Sequence, residues 1–552
     1  MKNKLRDPIT LVLAALAVAI VVGCARGLPG SDSWAADSIS PRSCGLGAVV
    51  ENFLPGHFHI YPPLHMGLLT VLSLPWIALA ASRVGTNIGA LGAELVKPFY
   101  MTPIEASARA VSAAMALAIV WNTARLWTRI SGRHAGIFAA LVVTMNPVFV
   151  YYAHTGNLEV PYLFWLTWGL VEIDRVAAGE PREIQVLLLA VAAVLTKDQA
   201  AGVLLLPIPI YMGLVPWAAR REPLHRRNLV RGAIFGVLAY VVGSGALVNP
   251  SGFQHRIHTL FGSASRDWVG YGPGMAGTLA LARDAVRATT EFTSWPLAVA
   301  SVVGVILVIT SRRRDERWRA LLPLVAAISF FVFFNLGARR TEARFLLPES
   351  LLFLPYAAFT FDHAWTTWPR TRTWLVLASA AAFAPAALGV ASMDATLLAD
   401  PRYAAERFLA SLPAGTHVEV YGGPIFLPRV PSHLVAVRPG VEPIAERQHV
   451  NGVAELVDLV MDPRPRGPAV IVLASELSSL TMTLPAPFDP YRIRHYQDPR
   501  SRALFRSLLD GSLGYRRVLR ATCSLPWPLD CRSIHQSTAG EIWIYAPERS
   551  TD

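Results

Sequence analysis

The chain has 552 residues, 53% of them apolar and only 16% charged, against about 25% charged in an average soluble domain. That balance excludes an ordinary soluble enzyme and indicates a membrane protein with a soluble part. The formal charge of +12 does not indicate a nucleic-acid partner, because the basic residues form no stripe with interleaved aromatics and cluster instead at the ends of apolar runs. Nearly all the positive charge is arginine; the lysines are Lys2, Lys4, Lys97 and Lys197.

Lys2, Lys4 and Arg6 precede an apolar run from Pro8 to Ala25, which places the N-terminus in the cytoplasm and residue 26 outside. Val21-Val22-Gly23-Cys24 looks like a lipoprotein cleavage site, but the many apolar runs that follow argue for retention of this first helix. Arg125, Arg129 and Arg133 mark the next cytoplasmic loop, so only one of Leu64 to Ala81 and Ala108 to Leu126 crosses. We expect the second to cross. The first follows Pro62-Pro63, ends near Arg83 and leads into a Gly-rich stretch up to Pro103, so it reads as a juxtamembrane or re-entrant helix within a first outer loop, residues 26–105. Loops of that length are usually functional.

Further spans follow near 135–152 and 158–174, then a hairpin over 185–218 with Thr196-Lys197-Asp198-Gln199 at its outer tip. Others lie near 231–248, 292–310, 320–336, 345–361 and 374–393. The basic loops 219–231, 311–319 and 370–372 fall inside and the 249–291 loop outside. The expected fold is an all-α polytopic membrane domain over 1–393 with about eleven transmembrane helices, followed by a soluble α/β domain over 394–552 on the outer face. In that domain Pro401 to Leu412 and Ser501 to Leu509 read as helices, and Thr416 to Tyr421, Ala469 to Leu473 and Glu541 to Tyr545 as strands. The eight-residue spacing of Cys523 and Cys531 suits a small disulfide in an oxidising compartment.

This topology gathers polar residues on the outer side: Asp32, Asp37, Glu159, Lys197, Asp198, His255, Arg256, His258, Arg266, Asp267, Arg339, Arg340 and Arg344. Most charged residues at helix ends only meet water or headgroups. Lys197 stands apart, because it interrupts an apolar hairpin in a chain that otherwise uses arginine. Cations beside carboxylates on one membrane face are what group transfer from a phosphate carrier needs: cations hold the leaving phosphate and a carboxylate takes a proton from the acceptor.

Several fragments also occur in a meaningful order: Trp34-Ala35-Ala36-Asp37-Ser38, Tyr61-Pro62-Pro63-Leu64, Arg109 opening a helix, Asn157-Leu158-Glu159-Val160-Pro161, Thr196-Lys197-Asp198-Gln199 and Arg344-Phe345-Leu346-Leu347-Pro348. In that order the chain resembles GT-C glycosyltransferases, in the bacterial branch related to protein O-mannosyltransferases and lipid A aminoarabinose transferases. The resemblance implies a polyprenyl-phosphate-linked sugar as donor and a hydroxyl on a protein, lipid or glycan as acceptor, with transfer on the outer face of the cell inner membrane. It makes Asp37 the catalytic base, Lys197 and Arg344 the donor-phosphate ligands, and Glu159, Tyr61, His255 and Arg256 contributors to the substrate site. Two departures stand out. Ser38 follows Asp37 where an Asp-Glu pair is usual, which makes Asp32 a candidate for the second carboxylate, and Ile60-Tyr61 precede the double proline where the aminoarabinose branch carries lysine. No metal-ligand set is identified, and a divalent metal is left open. A transporter or flippase for a polyprenyl-linked glycolipid is the alternative, and an assembly protein that binds partners through its C-terminal domain is a third reading.

Overall fold

The computed structural model describes residues 7–30, 34–35, 38, 45–214, 223–266, 269–291, 293–311, 314–443, 450, 452–474, 498–532, 534 and 540–548. The chain divides into two compact units. The first holds residues 1–24, 44–74 and 107–391, the second residues 25–43, 75–106 and 392–552.

The first unit is helical. Among the described residues four helical stretches of the chain are long and apolar enough to cross a membrane: Pro63–Val84, Pro98–Ser131, Glu316–Ala338 and Pro369–Ala410. Two bent pairs, Arg133–Thr144 with Pro147–Ala153 (71°) and Met275–Glu291 with Trp295–Thr310 (114°), pass the same length and composition test together. Pro8–Val21, Glu183–Thr196 and Ala200–Gly213 are shorter apolar helices. The bend at 145–147 has a local cause: Asn146 accepts the Val148 and Phe149 amides and Pro147 opens the new helix, an N-cap followed by a proline that has no amide to lose. Helix packing is close where glycine permits it. A Cβ on Gly304 would lie 2.0 Å from the Tyr356 carbonyl oxygen, so the helices Trp295–Ser311 and Tyr356–Thr367 approach as only glycine allows.

The helix expected over Leu64 to Ala81 within the first outer loop is present as part of Pro63–Val84, 22 residues with the length and hydropathy to cross, and the stretch 26–105 also holds the helices Leu46–Phe53 and Ile88–Leu95. One expectation changes here. Arg109 does not open a helix, because the helix already starts at Pro98 and carries Pro103 inside it; Pro98 suits the first turn, while Pro103, the sixth residue, lacks the amide for one ladder hydrogen bond.

The basic loops also do more than orient the chain. Asp174, with no exposed surface, accepts Arg129 Nε at 2.7 Å and Arg319 Nε and Nη2 at 2.7 and 3.0 Å. Glu180 accepts Arg129 Nη2 at 3.0 Å and Arg175 Nε at 2.6 Å. A buried carboxylate held by two guanidiniums ties three helices together at that end of the unit.

In the second unit lies a six-stranded sheet of β1 (His417–Tyr421), β2 (Val435–Gly440), β3 (Ala454–Val457), β4 (Val470–Ala474), β5 (Tyr515–Ala521) and β6 (Ile542–Pro547), in the order β3-β2-β1-β4-β6-β5. The first four strands run parallel; β6 is antiparallel to β4, and β5 to β6. Alternate residues feed two cores. On one face Val418, Val420, Val472 and Ile544 pack against Ala405 and Leu409 of the helix Pro401–Ala410. On the other, Tyr421, Ile471, Leu473 and Tyr545 pack against Leu504, Phe505 and Leu508 of the helix Pro499–Leu509. Each helix begins at an Asp-Pro pair whose aspartate caps the first turn. The Cys523–Cys531 disulfide is formed, with a Cα–Cα distance of 6.1 Å, and Cys24 is a free thiol.

Candidate functional site

The hairpin of Glu159–Ala177 and Glu183–Thr196 places Glu159 in the first turn of one helix and Lys197 at the C-cap of the other. Lys197 Nζ donates to Glu159 Oε1 at 2.5 Å, with both side chains buried. The ammonium lies 5.6 Å from the centroid of the Tyr162 ring and 6.0 Å from that of Phe345. Phe345 is the centre of the arrangement. The guanidinium carbons of Arg340 and Arg344 sit 4.4 and 4.7 Å from the same ring centroid, so three cations surround one aromatic face system.

Local backbone geometry produces this grouping. Arg339 takes a left-handed conformation (φ 52°) and ends one helix, and the next begins at Ala343. Asn335 Nδ2 donates to the carbonyls of Arg340 and Phe345 at 3.2 Å each, which folds the connecting turn so that both arginines flank Phe345. Glu342 bridges them, accepting Arg340 Nη2 at 2.5 Å and Arg344 Nε at 3.0 Å. The Arg344 side chain is 8% exposed and that of Glu342 42%. The carboxylate is thus the exposed member of the group and the arginine the buried one.

A second group adjoins this one through the chain. Asp198 accepts Arg256 Nη2 at 3.2 Å, and Arg256 is 1% exposed. Its Nε and Nη1 are buried with no hydrogen-bond partner among the described residues. Burial pushes the Asp198 carboxyl up to about 6 against the opposing pull of Arg256. His255, exposed on the same helix, stacks on Phe58 with ring centroids 4.4 Å apart. Asn249 fixes that helix to the segment before Tyr61: its Nδ2 donates to the Asn52 and His57 carbonyls at 3.2 and 2.7 Å, and its Oδ1 accepts the Gly252 amide at 3.0 Å. Tyr61 contributes backbone here, its carbonyl accepting Asn52 Nδ2 at 3.1 Å.

Of the residues expected in the site, Lys197, Glu159 and Arg344 come together, Arg256 joins through Asp198, and His255 and Tyr61 line the neighbouring segment. Asp37 and Asp32 lie outside the described residues. Arg340, Phe345 and Tyr162 were not expected as site residues; the signal for Arg340 was its place among the cations of the outer side, four residues from Arg344. Arg109 and His154 serve the scaffold, since Arg109 Nη1 donates to the Cys24 carbonyl at 2.6 Å and His154 Nε2 lies 2.6 Å from that of Val22. Among the described residues no group of three or more His, Cys, Asp or Glu could hold a metal ion.

No protein-family model matches the chain, and no curated protein matches it. Among solved structures it is similar to ArnT from Cupriavidus metallidurans bound to undecaprenyl phosphate, at 14% identity over 97% of each chain with a TM-score of 0.48. It is similar to an oligosaccharyltransferase from Archaeoglobus fulgidus crystallised with zinc and sulfate, at 12% identity over 85% of this chain and 68% of the other, TM-score 0.46. It is also similar to the oligosaccharyltransferase AglB from Archaeoglobus fulgidus in complex with an inhibitory peptide and a dolichol-phosphate, at 11% identity over 93% of this chain and 79% of the other, TM-score 0.45.

Proposed function

We propose that the chain is a multi-pass membrane glycosyltransferase that moves a sugar from a polyprenyl-phosphate carrier to a hydroxyl-bearing acceptor on the outer face of the cytoplasmic membrane. The observation that carries this reading is the convergence of Lys197, Arg340 and Arg344 on Phe345, with the carboxylate of Glu159 already bonded to the lysine. Buried cations with one exposed, displaceable carboxylate form a receptor for a phosphate at headgroup depth, where scarce water strengthens charge-assisted bonds. The order of sequence fragments shared with GT-C glycosyltransferases supports the same reading.

The chemistry follows from the charges. The acceptor oxygen attacks the anomeric carbon as the bond from that carbon to the phosphate oxygen breaks. The electron pair stays on the phosphate, where Lys197 and Arg344 neutralise it, and the acceptor proton goes to the carboxylate assigned as base, Asp37. Glu159 sets the direction of the Lys197 ammonium, leaving two of its three N–H donors for the phosphate. Arg256, His255 and Tyr61 contribute to sugar and acceptor binding. The basic loops 125–134, 219–231 and 311–319 face the cytoplasm, and the domain over 394–552, with its disulfide, faces the oxidising side.

One observation favours a transport reading instead: Glu349 stands on the helix Ala343–Phe353, and both its carboxyl oxygens are buried with no hydrogen-bond partner among the described residues. Ionisable groups in such places often serve transport. A single experiment separates the two. Purified protein is incubated with a panel of polyprenyl-phosphate sugars, and candidate acceptors are analysed by mass spectrometry. Transfer yields a covalent glycoside from wild type, and Asp37→Asn slows it by about 10²–10⁴ with donor binding nearly unchanged. Flipping without any covalent product refutes the transferase, and a wild-type rate for Asp37→Asn refutes the base assignment.

A further inference from the structure

In the second unit the chain leaves β5 into a short loop, Cys-Ser-Leu-Pro-Trp-Pro-Leu-Asp-Cys, closed by the Cys523–Cys531 disulfide. At its tip the Leu529 amide donates to the Pro526 carbonyl at 2.9 Å, which makes 526–529 a tight turn. Leu525 and Leu529 are half-buried, whereas Pro526, Trp527 and Pro528 are exposed. Trp527 is 92% exposed, more than any other large apolar residue among the described residues.

The base of the loop is held against the end of the helix Arg372–Leu398. The Asp530 amide donates to Ser392 Oγ at 3.2 Å and the Arg532 amide to Thr396 Oγ1 at 3.0 Å. Ser392 and Thr396 both belong to the second unit and stand one turn apart on one face of the helix. The Thr396 hydroxyl donates to the Ser392 carbonyl at 2.7 Å, which orients its lone pairs for the Arg532 amide. Residues 373–393 of this helix carry no charged side chain, and they lie within Pro369–Ala410, a stretch long and apolar enough to cross a membrane. At 1.5 Å per residue that uncharged run is about 30 Å long, the thickness of a bilayer's hydrocarbon core. The loop is therefore pinned where the apolar run gives way to Asp394 and Asp400, at headgroup depth.

Two features suit the tip to a place where water is scarce. An unpaired amide is costly there, and of residues 526–529 two are prolines without an amide and Leu529 has its amide bonded. Tryptophan joins a large apolar ring to one N–H donor, the combination that settles at membrane interfaces. We propose that the Cys523–Cys531 loop is an interfacial anchor whose Trp527 inserts among the headgroups and upper acyl chains of the bilayer crossed by the helix Arg372–Leu398. The disulfide and the two amide bonds to Ser392 and Thr396 hold the loop before it meets lipid, so little conformational freedom is lost on insertion. The second unit is thereby attached to the membrane at a second point beside its helix. This attachment is independent of the transfer chemistry.

The test uses the full chain in proteoliposomes of phosphatidylethanolamine and phosphatidylglycerol, with the photoreactive residue p-benzoylphenylalanine in place of Trp527 or, as a control, of Ser512. Ser512 is exposed and precedes β5, whose length sets it about 20 Å from the loop. Neither replacement disturbs a core, since both side chains are exposed. Illumination is expected to give several-fold more lipid adduct on the peptide carrying position 527 than on the one carrying 512, read by mass spectrometry. A second measurement keeps the native side chain: the fluorescence that wild type has and Trp527→Phe lacks should lose most of its intensity to lipids brominated near the glycerol end of the acyl chain. Equal adduct at the two positions, a crosslink from 527 to a second copy of the chain in place of lipid, or a difference emission that shallow bromines leave unquenched overturns the anchor. No sugar donor is present, so neither measurement bears on the proposed function.

Discussion

Lys197 and Glu159 offer the sharpest test of the site, because two different quantities respond to them. In Lys197→Met the ammonium is lost and Glu159, 2% exposed at its side chain, is left as a buried anion without its 2.5 Å partner. Removal of one member of a buried pair typically costs roughly 3–5 kcal/mol, whereas replacement of both by uncharged groups of similar volume is often neutral. The double variant Glu159→Gln/Lys197→Met should therefore recover most of the thermal stability that Lys197→Met loses. Donor binding should not recover. A charge-assisted hydrogen bond contributes about 1.5–3 kcal/mol, equivalent to about 10- to 150-fold in affinity, and the double variant still lacks the ammonium. Melting in detergent reads the first quantity, and titration with a polyprenyl phosphate reads the second. Wild-type affinity in the stable double variant would falsify the phosphate role of Lys197 and leave the pair a purely structural bridge.

Two further predictions concern stability away from the site. Asp174→Ala strips Arg129 and Arg319 of their shared buried anion and should destabilise the membrane part by roughly 3–5 kcal/mol, seen as lower yield and an earlier melt; a wild-type melting temperature would show that the network contributes nothing. In the sheet domain burial pushes the Asp458 carboxyl up, but the Val460 amide and Arg466 outweigh it, so it lies below its ordinary range. A carboxylate depressed in the folded state adds stability above its unfolded value, near 4, and loses it as pH falls through the folded value. Protection of β1 and β4 amides, taken relative to their intrinsic exchange rate at each pH, should therefore fall below about pH 4, and Asp458→Asn should flatten that dependence; an unaltered acid response in the variant would remove Asp458 from the account.

What was legible in the sequence is what rests on local pattern. The helices Pro401 to Leu412 and Ser501 to Leu509 were read from their apolar period, although the second starts two residues earlier, at the Asp498-Pro499 cap, and β1, β4 and β6 read as strands because they are apolar runs in the middle of a sheet. β2 carries Arg438 and Pro439, β3 is four largely exposed residues, and β5 interleaves arginines with apolar positions, so none shows a clean period. The helix start at Pro98 was hidden by prolines that normally end helices. Within the site, Lys197 was singled out by its chemistry, but its partner stands 38 residues away, and no sequence period connects them. Phe345 was read only as part of a fragment, because its value lies in which cations fold around it, and that depends on the turn held by Asn335. The arginines of the basic loops were read as orientation signals; that Arg129 and Arg319 also meet Asp174 depends on helix packing.

The Glu342 bridge has a kinetic consequence. In the protein the anion seat proposed for Arg340 and Arg344 is occupied by a resident carboxylate, tethered two residues from each arginine. A tethered competitor weakens every phosphate equally, substrate and spent carrier alike. For a transferase whose leaving group remains charged and bound after the sugar has gone, such self-competition shortens the dwell time of the spent carrier and clears the seat for the next cycle. Glu342 would then set the pace of carrier exchange without taking part in the bond-making step.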